Sequence, residues 1–315
     1  MENVTYREAV LKGAATLKCS GVESPEYDSR ELMLKAAGFD STQYLCRSTE
    51  KVSAECLATF QEYIERRMNR EPLQHILGEA CFYGRSFLVN ENVLVPRLDT
   101  EVLVEQALKV TRDNDAVLDM CTGSGCIIIT MALERKLSFA CGCDLSDKAL
   151  EVAQSNGARL IPEDRYCIVN ADEEKYDSRN LLNYGDNKDI FRFCQGDLFD
   201  SLDKNCGLEP DSHFKFDVIV SNTPYIETEV INTLSDEVRL HEPVMALDGS
   251  ADGLEFYRRI SAKAPEYLNP SGYLLYEIGY NQGQQVSMIM EEAGFRDVEI
   301  IKDLAGLDRV VKARL

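Results

Sequence analysis

The feature that most constrains the fold is a regular alternation of strand-like and helix-like segments after Pro96. Short apolar runs, rich in β-branched and aromatic residues, are each followed by a segment with helical spacing of apolar residues. This order predicts an α/β fold class, in which helices cover both faces of a doubly wound, mostly parallel sheet. The strands are expected at residues 116–119, 139–144, 191–194, 216–220, 273–278, 298–302 and 309–312.

The preceding part of the chain has the spacing and punctuation of helices. The Ser-Pro-Glu sequence at residues 24–26 predicts a helix start with Ser24 as the capping residue, and Gly38 predicts the end of that helix. Another helix is expected at about residues 53–69. These signals indicate a small helical domain at the N-terminus.

Aromatic and β-branched residues then surround Asn90, Glu91 and Asn92, a pattern that predicts a short β-hairpin with its turn at these three residues. The hairpin separates the two kinds of pattern. The predicted organisation is a helical domain at residues 1–75, a β-hairpin linker at 76–97 and an α/β domain at 98–315.

The charge of the chain constrains its partners. A formal net charge of -20, from 54 acidic and 34 basic residues, disfavours attraction to nucleic-acid phosphates or to anionic membranes. The first residues lack the basic and apolar pattern of a signal peptide, and no window approaches the roughly 18 apolar residues of a membrane span. We therefore expect a cytoplasmic protein that binds neither membranes nor, stably, nucleic acid.

The cysteines and histidines give no metal-site pattern. None of the 11 cysteines forms a Cys-x-x-Cys pair, and several lie within apolar runs. The histidines, His75, His213 and His241, are far apart in sequence. We expect reduced, buried thiols and no metal.

The strongest local signal is a glycine-containing turn between a predicted strand and helix. Gly123 and Gly125 let the backbone pass close to a ligand, and the following helix start supplies unpaired N–H groups. Ile128 stands where a dinucleotide fingerprint needs a third glycine, and no Walker pattern follows. These observations favour a nucleoside without phosphates.

Acidic residues follow the next two predicted strands. Asp144 can accept the hydroxyls of a ribose, and the Gly-Asp-Leu-Phe sequence at residues 196–199 can hold an adenine. Together with the glycine turn they predict a pocket for S-adenosylmethionine. The alternative is that the glycines only form a tight turn and that Asp144 and Asp197 are caps.

The sequence Ser-Asn-Thr-Pro-Tyr-Ile at residues 221–226 follows the fourth predicted strand, at the sheet edge where such folds place their ligands. The Asn222 side-chain carbonyl and the Thr223 backbone carbonyl, constrained by Pro224, can accept both N–H bonds of an amide or amino group. Tyr225 can lie against its flat face. Alternatively, Tyr225 is a core aromatic and Asn222 a turn residue.

These residues resemble the Asn-Pro-Pro-Tyr signature of amino-methyltransferases, and the wider sequence resembles the HemK/PrmC-type protein-glutamine methyltransferases of peptide-chain release factors. The similarity extends over residues 71–79, 82–84, 95–101, 237–243, 246–249 and 252–254.

The resemblance implies a helical N-terminal domain, a hairpin link and a Rossmann-like S-adenosylmethionine-dependent methyltransferase domain. It implies N5-methylation of the glutamine in the Gly-Gly-Gln loop of class-I release factors, with S-adenosylhomocysteine as the product. By matching position, the donor would contact Asp119, Cys121, Thr122, Gly123, Ser124, Gly125, Asp144, Leu145, Asp197, Leu198 and Asn222. The substrate would contact Arg97, Glu101, Asn222, Thr223, Pro224 and Tyr225, the last four of which are the predicted catalytic residues.

The chain departs from the family pattern at several points. Thr223 replaces a proline, Cys121 replaces a glycine, Leu98 and Asp99 replace Pro-Glu, and residues 170–189 form a polar insertion. The alternatives are an adenine-N6 or ribosomal-protein glutamine methyltransferase, or a non-catalytic S-adenosylmethionine-binding protein. Arg97 and Glu101 could instead form a surface ion pair.

Overall fold

A computed structural model describes residues 4–162, 166–169, 189–205, 208 and 214–315. The chain forms two compact units: Met1–Ala80 with Leu234–Glu242, and Cys81–Thr233 with Pro243–Leu315. The predicted insertion at 170–189 lies outside the described residues apart from its last residue. The predicted domain boundaries stay predictions.

The first unit contains five helices near its N-terminal end: α1 (Tyr6–Cys19), α2 (Pro25–Ala37), α3 (Ser41–Arg47), α4 (Ala54–Met68) and α5 (Leu73–Leu77). The predicted helices at 24–38 and 53–69 are confirmed, and Gly38 ends α2 in the left-handed conformation. The capping role predicted for Ser24 is wrong, because its side chain makes no cap hydrogen bond. With φ -121° and ψ 58°, its backbone departs from the extended geometry of the hydroxyl-capped helix starts.

A buried charged cluster lies within this unit. The Arg67 guanidinium donates from Nε to Asp28 Oδ2 (2.7 Å), from Nη1 to the Glu71 carbonyl (3.0 Å) and from Nη2 to Glu237 Oε1 (2.8 Å). The side chains of Arg67 and Asp28 are only 6% and 7% exposed. Burial raises the Asp28 pKa even though Arg67 opposes the shift. The guanidinium therefore links α2, α4 and the 234–242 segment.

The hairpin consists of β1 (Glu79–Phe82) and β2 (Arg85–Leu88), so its turn is at Tyr83 and Gly84. A turn also forms at Asn90–Asn92, where the Val93 N–H donates to the Asn90 carbonyl at 3.2 Å, but the prediction that this turn closes the hairpin is wrong. Tyr83 has φ 51° and Gly84 has φ 72°, and a two-residue turn with both φ values positive matches the twist of the flanking strands. Asn90 instead uses its side chain to accept the Asn92 N–H (2.9 Å) in the following loop.

The second unit is built on an eight-stranded sheet with the order β5-β6-β4-β3-β7-β8-β10-β9. The strands are β3 (Ala116–Met120), β4 (Phe139–Asp144), β5 (Tyr166–Val169), β6 (Asp189–Gln195), β7 (Phe216–Ser221), β8 (Leu268–Glu277), β9 (Arg296–Lys302) and β10 (Asp308–Arg314). In the order of the sheet, each pair of neighbouring strands from β5 through β6, β4, β3 and β7 to β8 is parallel, and β10 is antiparallel to both β8 and β9. The predicted doubly wound, mostly parallel sheet is confirmed, but β5 was not predicted.

Helices connect the strands: α6 (Thr100–Val110), α7 (Cys126–Glu134), α8 (Asp147–Leu160), α9 (Asp200–Asn205), α10 (Thr228–Ile231), α11 (Asp236–His241), α12 (Val244–Leu247), α13 (Glu255–Lys263) and α14 (Gly283–Glu292). Of these, α11 belongs to the first unit. The central strand β3 is buried at every residue, as expected for a parallel sheet covered on both faces. Within the described ranges, none of the helices has both the length and the apolarity needed to cross a membrane.

Candidate active site

The carboxyl ends of β3, β4, β6 and β7 meet at one edge of the sheet because these strands are parallel neighbours. A cavity lies at this edge, within the second unit. Predicted site residues in its wall are Arg97, Cys121, Thr122, Gly123, Ser124, Asp144, Leu145, Asp197, Leu198, Asn222 and Pro224. The described wall leaves out the other predicted residues, Asp119, Gly125, Thr223, Tyr225 and Glu101.

The glycine turn brings the backbone to the cavity in a left-handed conformation. Cys121 has φ 62° and Gly123 has φ 55°, so the cysteine occupies a conformation that favours glycine. Gly125 lies behind the wall and packs the turn against α8. A Cβ atom there would lie 2.9 Å from Ile129 Cδ1 and 3.2 Å from Ala153 Cβ.

Asp119 supports the turn from the interior. Its side chain is fully buried, and its Oδ2 accepts the Thr122 hydroxyl at 2.6 Å. Burial raises the pKa of Asp119 to about 7, although the Thr122 hydrogen bond opposes the shift. The structure thus places Asp119 as a support for Thr122 and not as a wall residue.

Asp144, the last residue of β4, is in the wall and also binds the backbone. Its Oδ2 accepts the Gly123 N–H and its Oδ1 accepts the Ser146 N–H, both at 2.9 Å. Burial raises its pKa despite these bonds. Each carboxylate oxygen keeps a further lone pair, so the capping role and the ribose-binding role are compatible.

The loop after β6 places Asp197 and Leu198 in the wall. Asp197 Oδ2 forms an ion pair with Arg259 Nη2 at 2.7 Å, and both side chains are partly exposed. Leu198 is buried and has φ 52°. The loop therefore offers one apolar side chain and one carboxylate that already has a cationic partner.

The motif at residues 222–225 follows β7. Asn222 Nδ2 donates to Thr100 Oγ1 (3.3 Å), and the Tyr225 hydroxyl donates to Glu277 Oε1 (3.3 Å). Thr223 is buried, and the Cys121 thiol donates to its hydroxyl oxygen with a sulfur–oxygen distance of 3.9 Å. Among the described residues, no group donates a hydrogen bond to Asn222 Oδ1 or to the Thr223 carbonyl. The motif therefore has two open acceptors.

Gln282 and Gly253 both contact the backbone carbonyl of Tyr225 in the motif. Gln282 Nε2 donates to the Tyr225 carbonyl (2.9 Å) and to the Gly253 carbonyl (3.3 Å). Gly253 has φ 69°, and a Cβ atom there would lie 2.4 Å from the Tyr225 carbonyl oxygen. The close approach explains why the sequence has glycine at this position.

Arg97 and Glu101 contact different parts of the second unit. Arg97 is in the cavity wall, whereas Glu101 Oε1 accepts the backbone N–H of Tyr83 at 2.7 Å. Glu101 therefore fixes the hairpin turn. Its predicted role in substrate binding stays a prediction, and the structure gives it a contact that the sequence did not indicate.

Sequence reasoning missed two groups of residues. Thr100 and Glu277 contact the motif directly; Glu277 ends a strand beside β7, which is the signal that could have identified it. Cys141 Sγ lies 3.8 Å from the sulfur atoms of both Cys143 and Cys194, all buried. They meet because residues two apart on a strand share a face and Cys143 pairs with Cys194.

Comparison with known proteins places this geometry in a family. Residues 8–78 match the PrmC N-terminal domain. A release factor glutamine methyltransferase of Caulobacter vibrioides is 38% identical over 297 residues, which cover 94% of this chain and 91% of the relative. The chain belongs to the release factor glutamine methyltransferase family. The family membership predicted from the sequence is thus confirmed.

Other relatives agree with this assignment. The release factor glutamine methyltransferase of Geobacter sulfurreducens is 37% identical over 295 residues, covering 94% of this chain and 91% of the relative. A crystal structure of a release factor-specific protein-(glutamine-N5) methyltransferase from Alicyclobacillus acidocaldarius is 28% identical, with a TM-score of 0.37, and covers 72% of this chain and 98% of that one. The relatives from Caulobacter vibrioides and Geobacter sulfurreducens thus place the chain in an enzyme family.

The charges of the cavity wall fit the donor that this family implies. Among its described residues Arg97 is the cation, and Asp144 and Asp197 are the acids. A ligand with several phosphates would need more positive charge, whereas ribose hydroxyls suit a carboxylate. Glycine-turn amides and apolar side chains such as Leu198 complete a site compatible with S-adenosylmethionine.

Proposed function

We propose that this protein transfers a methyl group from S-adenosylmethionine to the side-chain amide nitrogen, N5, of the glutamine in the Gly-Gly-Gln loop of class-I peptide-chain release factors. The observation that carries the proposal is a pair of acceptors with no donor among the described residues: Asn222 Oδ1, which belongs to a residue of the cavity wall, and the backbone carbonyl of the next residue, Thr223. The family names a glutamine acceptor, and a primary amide has two N–H bonds for two such acceptors.

The donor pocket consists of the glycine turn with Asp144, Leu145, Asp197 and Leu198. Backbone groups of the turn approach the ligand closely, and the Asp144 carboxylate accepts ribose hydroxyls. When bound, S-adenosylmethionine supplies an electrophilic methyl group on a positively charged sulfur. The product that leaves is S-adenosylhomocysteine.

The acceptor residues overcome the low nucleophilicity of an amide nitrogen. Asn222 Oδ1 and the Thr223 carbonyl each accept one N–H bond, and this fixes the nitrogen in line with the donor methyl group. Polarising both N–H bonds favours the tetrahedral geometry of the transition state over the planar amide. As the carbon–nitrogen bond forms and the carbon–sulfur bond breaks, the nitrogen becomes acidic and its extra proton leaves to water.

Thr223 retains the backbone carbonyl that this scheme needs. Pro224 restricts Thr223 to extended backbone conformations, which limits the directions in which that carbonyl can point. The contact between Cys121 and Thr223 also joins two positions at which the chain departs from the family pattern. The threonine is therefore compatible with transfer.

The test is mass spectrometry of a tryptic digest of the organism's own release factor after incubation with the protein and S-adenosylmethionine. We expect one added methyl mass on the glutamine of the Gly-Gly-Gln peptide, and none with Asn222→Ala. Donor binding by Asn222→Ala, measured by calorimetry, separates loss of acceptor positioning from loss of the donor. Donor binding by the wild-type protein without any methylation would support the non-catalytic alternative.

Partners and location follow from the same proposal. The substrate is a cytoplasmic translation factor, so we propose a cytoplasmic location and no stable nucleic-acid or membrane binding. The net charge of -20 supports this over an adenine-N6 methyltransferase. Methylation of a ribosomal protein in the same assay, without methylation of the release factor, would instead favour the other glutamine substrate.

A further inference from the structure

Thr100, which is in the cavity wall, and Glu277 each bind one side chain of the motif at residues 222–225. Thr100 is the first residue of α6, and Glu277 is the last residue of β8. Both are buried, with 2% of each residue exposed. Ser221 pairs with Tyr276 across β7 and β8, so the motif starts beside Glu277. The contacts all lie within the second unit.

Two hydrogen bonds connect the motif to these residues. Asn222 Nδ2 donates to Thr100 Oγ1 at 3.3 Å. The Tyr225 hydroxyl donates to Glu277 Oε1 at 3.3 Å, and Glu277 Oε2 has no hydrogen-bond partner among the described residues. Thr100 therefore binds the amide of the motif, and Glu277 binds the hydroxyl of its aromatic residue.

The hydrogen bond to Thr100 determines which atom of the Asn222 amide is available to a ligand. The Thr100 hydroxyl oxygen accepts from Nδ2, so this contact holds the amide with its nitrogen toward Thr100. That orientation leaves Oδ1 as the atom available to a ligand. With the amide turned over, Asn222 would present a donor to an incoming glutamine nitrogen.

Glu277 is ionised above neutral pH. Burial raises its pKa to about 7, and Thr100, Arg309 and Tyr225 oppose the shift while Asp99 adds to it. The Tyr257 hydroxyl donates to the backbone carbonyl of Glu277 at 2.9 Å and not to its carboxylate. At pH 8 the carboxylate form therefore predominates.

We propose that Thr100 and Glu277 are positioning residues of the transfer reaction, which fix the Asn222 amide with its oxygen toward the acceptor nitrogen and hold the Tyr225 ring in place. They act through Asn222 and Tyr225, and Thr100 also forms part of the cavity wall. The inference rests on the proposed function, since it explains how the acceptor site obtains its specificity for an N–H donor.

The experiment compares Thr100→Val, which removes the hydroxyl at constant shape, with Thr100→Ser, which keeps it. Glutamine methylation is measured at pH 8 with saturating donor. We expect Thr100→Val to lower kcat about tenfold to hundredfold, because misplacing a positioning group by about 1 Å can cost about a hundredfold in rate. Thr100→Ser restores kcat to within about threefold of the wild type, and donor affinity is unchanged in both.

Glu277→Gln provides an independent variant. Its amide is a weaker acceptor than a carboxylate for the Tyr225 hydroxyl, which loosens the hold on the Tyr225 ring. We expect kcat to fall by a similar factor. The matched control is Thr111→Val, which removes a buried hydroxyl next to the other end of α6 that donates only to the Ala107 carbonyl (2.8 Å). The control should retain wild-type kcat.

NMR spectroscopy tests the hydrogen bond between Asn222 and Thr100 independently of the reaction. In the wild type, the two Nδ2 protons of Asn222 should give separate NMR signals protected from solvent exchange; Thr100→Val should lose this protection and Thr100→Ser should keep it. If the wild type methylates and Thr100→Val matches it in kcat, the inference is wrong. If the wild type methylates no release factor, the proposed function fails, and the NMR signals alone decide whether Thr100 positions Asn222.

Discussion

The buried cluster around Arg67 gives a prediction with a definite magnitude. Replacing Arg67 with methionine keeps an unbranched apolar stem but removes the charge that pairs with Asp28, which is 7% exposed. Removing one partner of a buried ion pair costs about 3–5 kcal/mol, because the remaining charge is desolvated without compensation. Asp28 can limit this cost by taking up a proton, since burial already raises its pKa. We therefore expect a loss of about 3 kcal/mol in the first unit.

Hydrogen exchange in the full-length protein is the suitable assay, since a chain with two compact units need not unfold in one step. Amides of α2 and α4 should exchange about a hundredfold faster in Arg67→Met, which is what about 3 kcal/mol implies. The double variant Arg67→Met with Asp28→Leu should recover much of this loss, because both charges are then absent.

The matched control is Arg239→Met in the same unit. Arg239 pairs with Asp236 at 2.7 Å, but its side chain is 36% exposed and that of Asp236 is 53% exposed. An exposed pair of this kind contributes at most about 1 kcal/mol. If Arg67→Met accelerates exchange no more than Arg239→Met does, the reasoning from burial is refuted.

Three further predictions concern the second unit. Gly253→Ala should cost at least about 2 kcal/mol in thermal unfolding because its Cβ meets a carbonyl oxygen at 2.4 Å; Gly306→Ala, with φ 80° and open space, should cost only about 1 kcal/mol. Asp144→Ala should weaken S-adenosylmethionine binding at least about tenfold in calorimetry, whereas Asp147→Ala, outside the described cavity wall, should leave it unchanged. The raised Asp119 pKa of about 7 means that its contribution to stability is complete below its ordinary value of 3.8 and is lost as the pH rises through about 7. The free energy of unfolding should therefore be measured by denaturation at pH 5 and pH 8, and Asp119→Asn should be more stable relative to the wild type at pH 8 than at pH 5. The same difference at both pH values would contradict the raised pKa.

The sequence predicted what depends on local patterns. Alternating strands and helices determine a parallel sheet, and parallel strands bring their ends together, so Cys121, Asp144 and Asn222 could be assigned to one edge without coordinates. Strand β5 could not be predicted in this way, because it is only four residues long and lies next to the polar stretch at 170–189.

The errors concern features that backbone conformation decides. Asn90–Asn92 has turn composition, but Tyr83 and Gly84 adopt the two positive φ values that the hairpin requires. Ser24 is a preferred capping residue type, yet its backbone angles keep its hydroxyl from capping. Composition identifies candidates for such positions, and only the local geometry selects among them.

The residues that support the site were missed for a different reason. Thr100 and Glu277 are 177 positions apart, and no periodic pattern connects them. Thr100 reaches Asn222 and Glu277 reaches Tyr225 because α6 starts and β8 ends close to the motif. Cys143 likewise meets Cys194 only because β4 pairs with β6. Contacts between residues far apart in the sequence can be identified only when the order of the strands in the sheet is known.

The segment Leu234–Glu242 has a consequence for dissecting the chain. Because this segment belongs to the first unit, the polypeptide passes from one unit to the other at three places along its length. A fragment ending at Ala80 would lack Glu237, a partner of Arg67. A fragment starting at Cys81 would contain Leu234–Glu242 without the rest of the unit to which this segment belongs. Exchange of the first unit between homologues therefore requires two coordinated replacements, and a graft at a single junction would leave a mismatched pairing in each product.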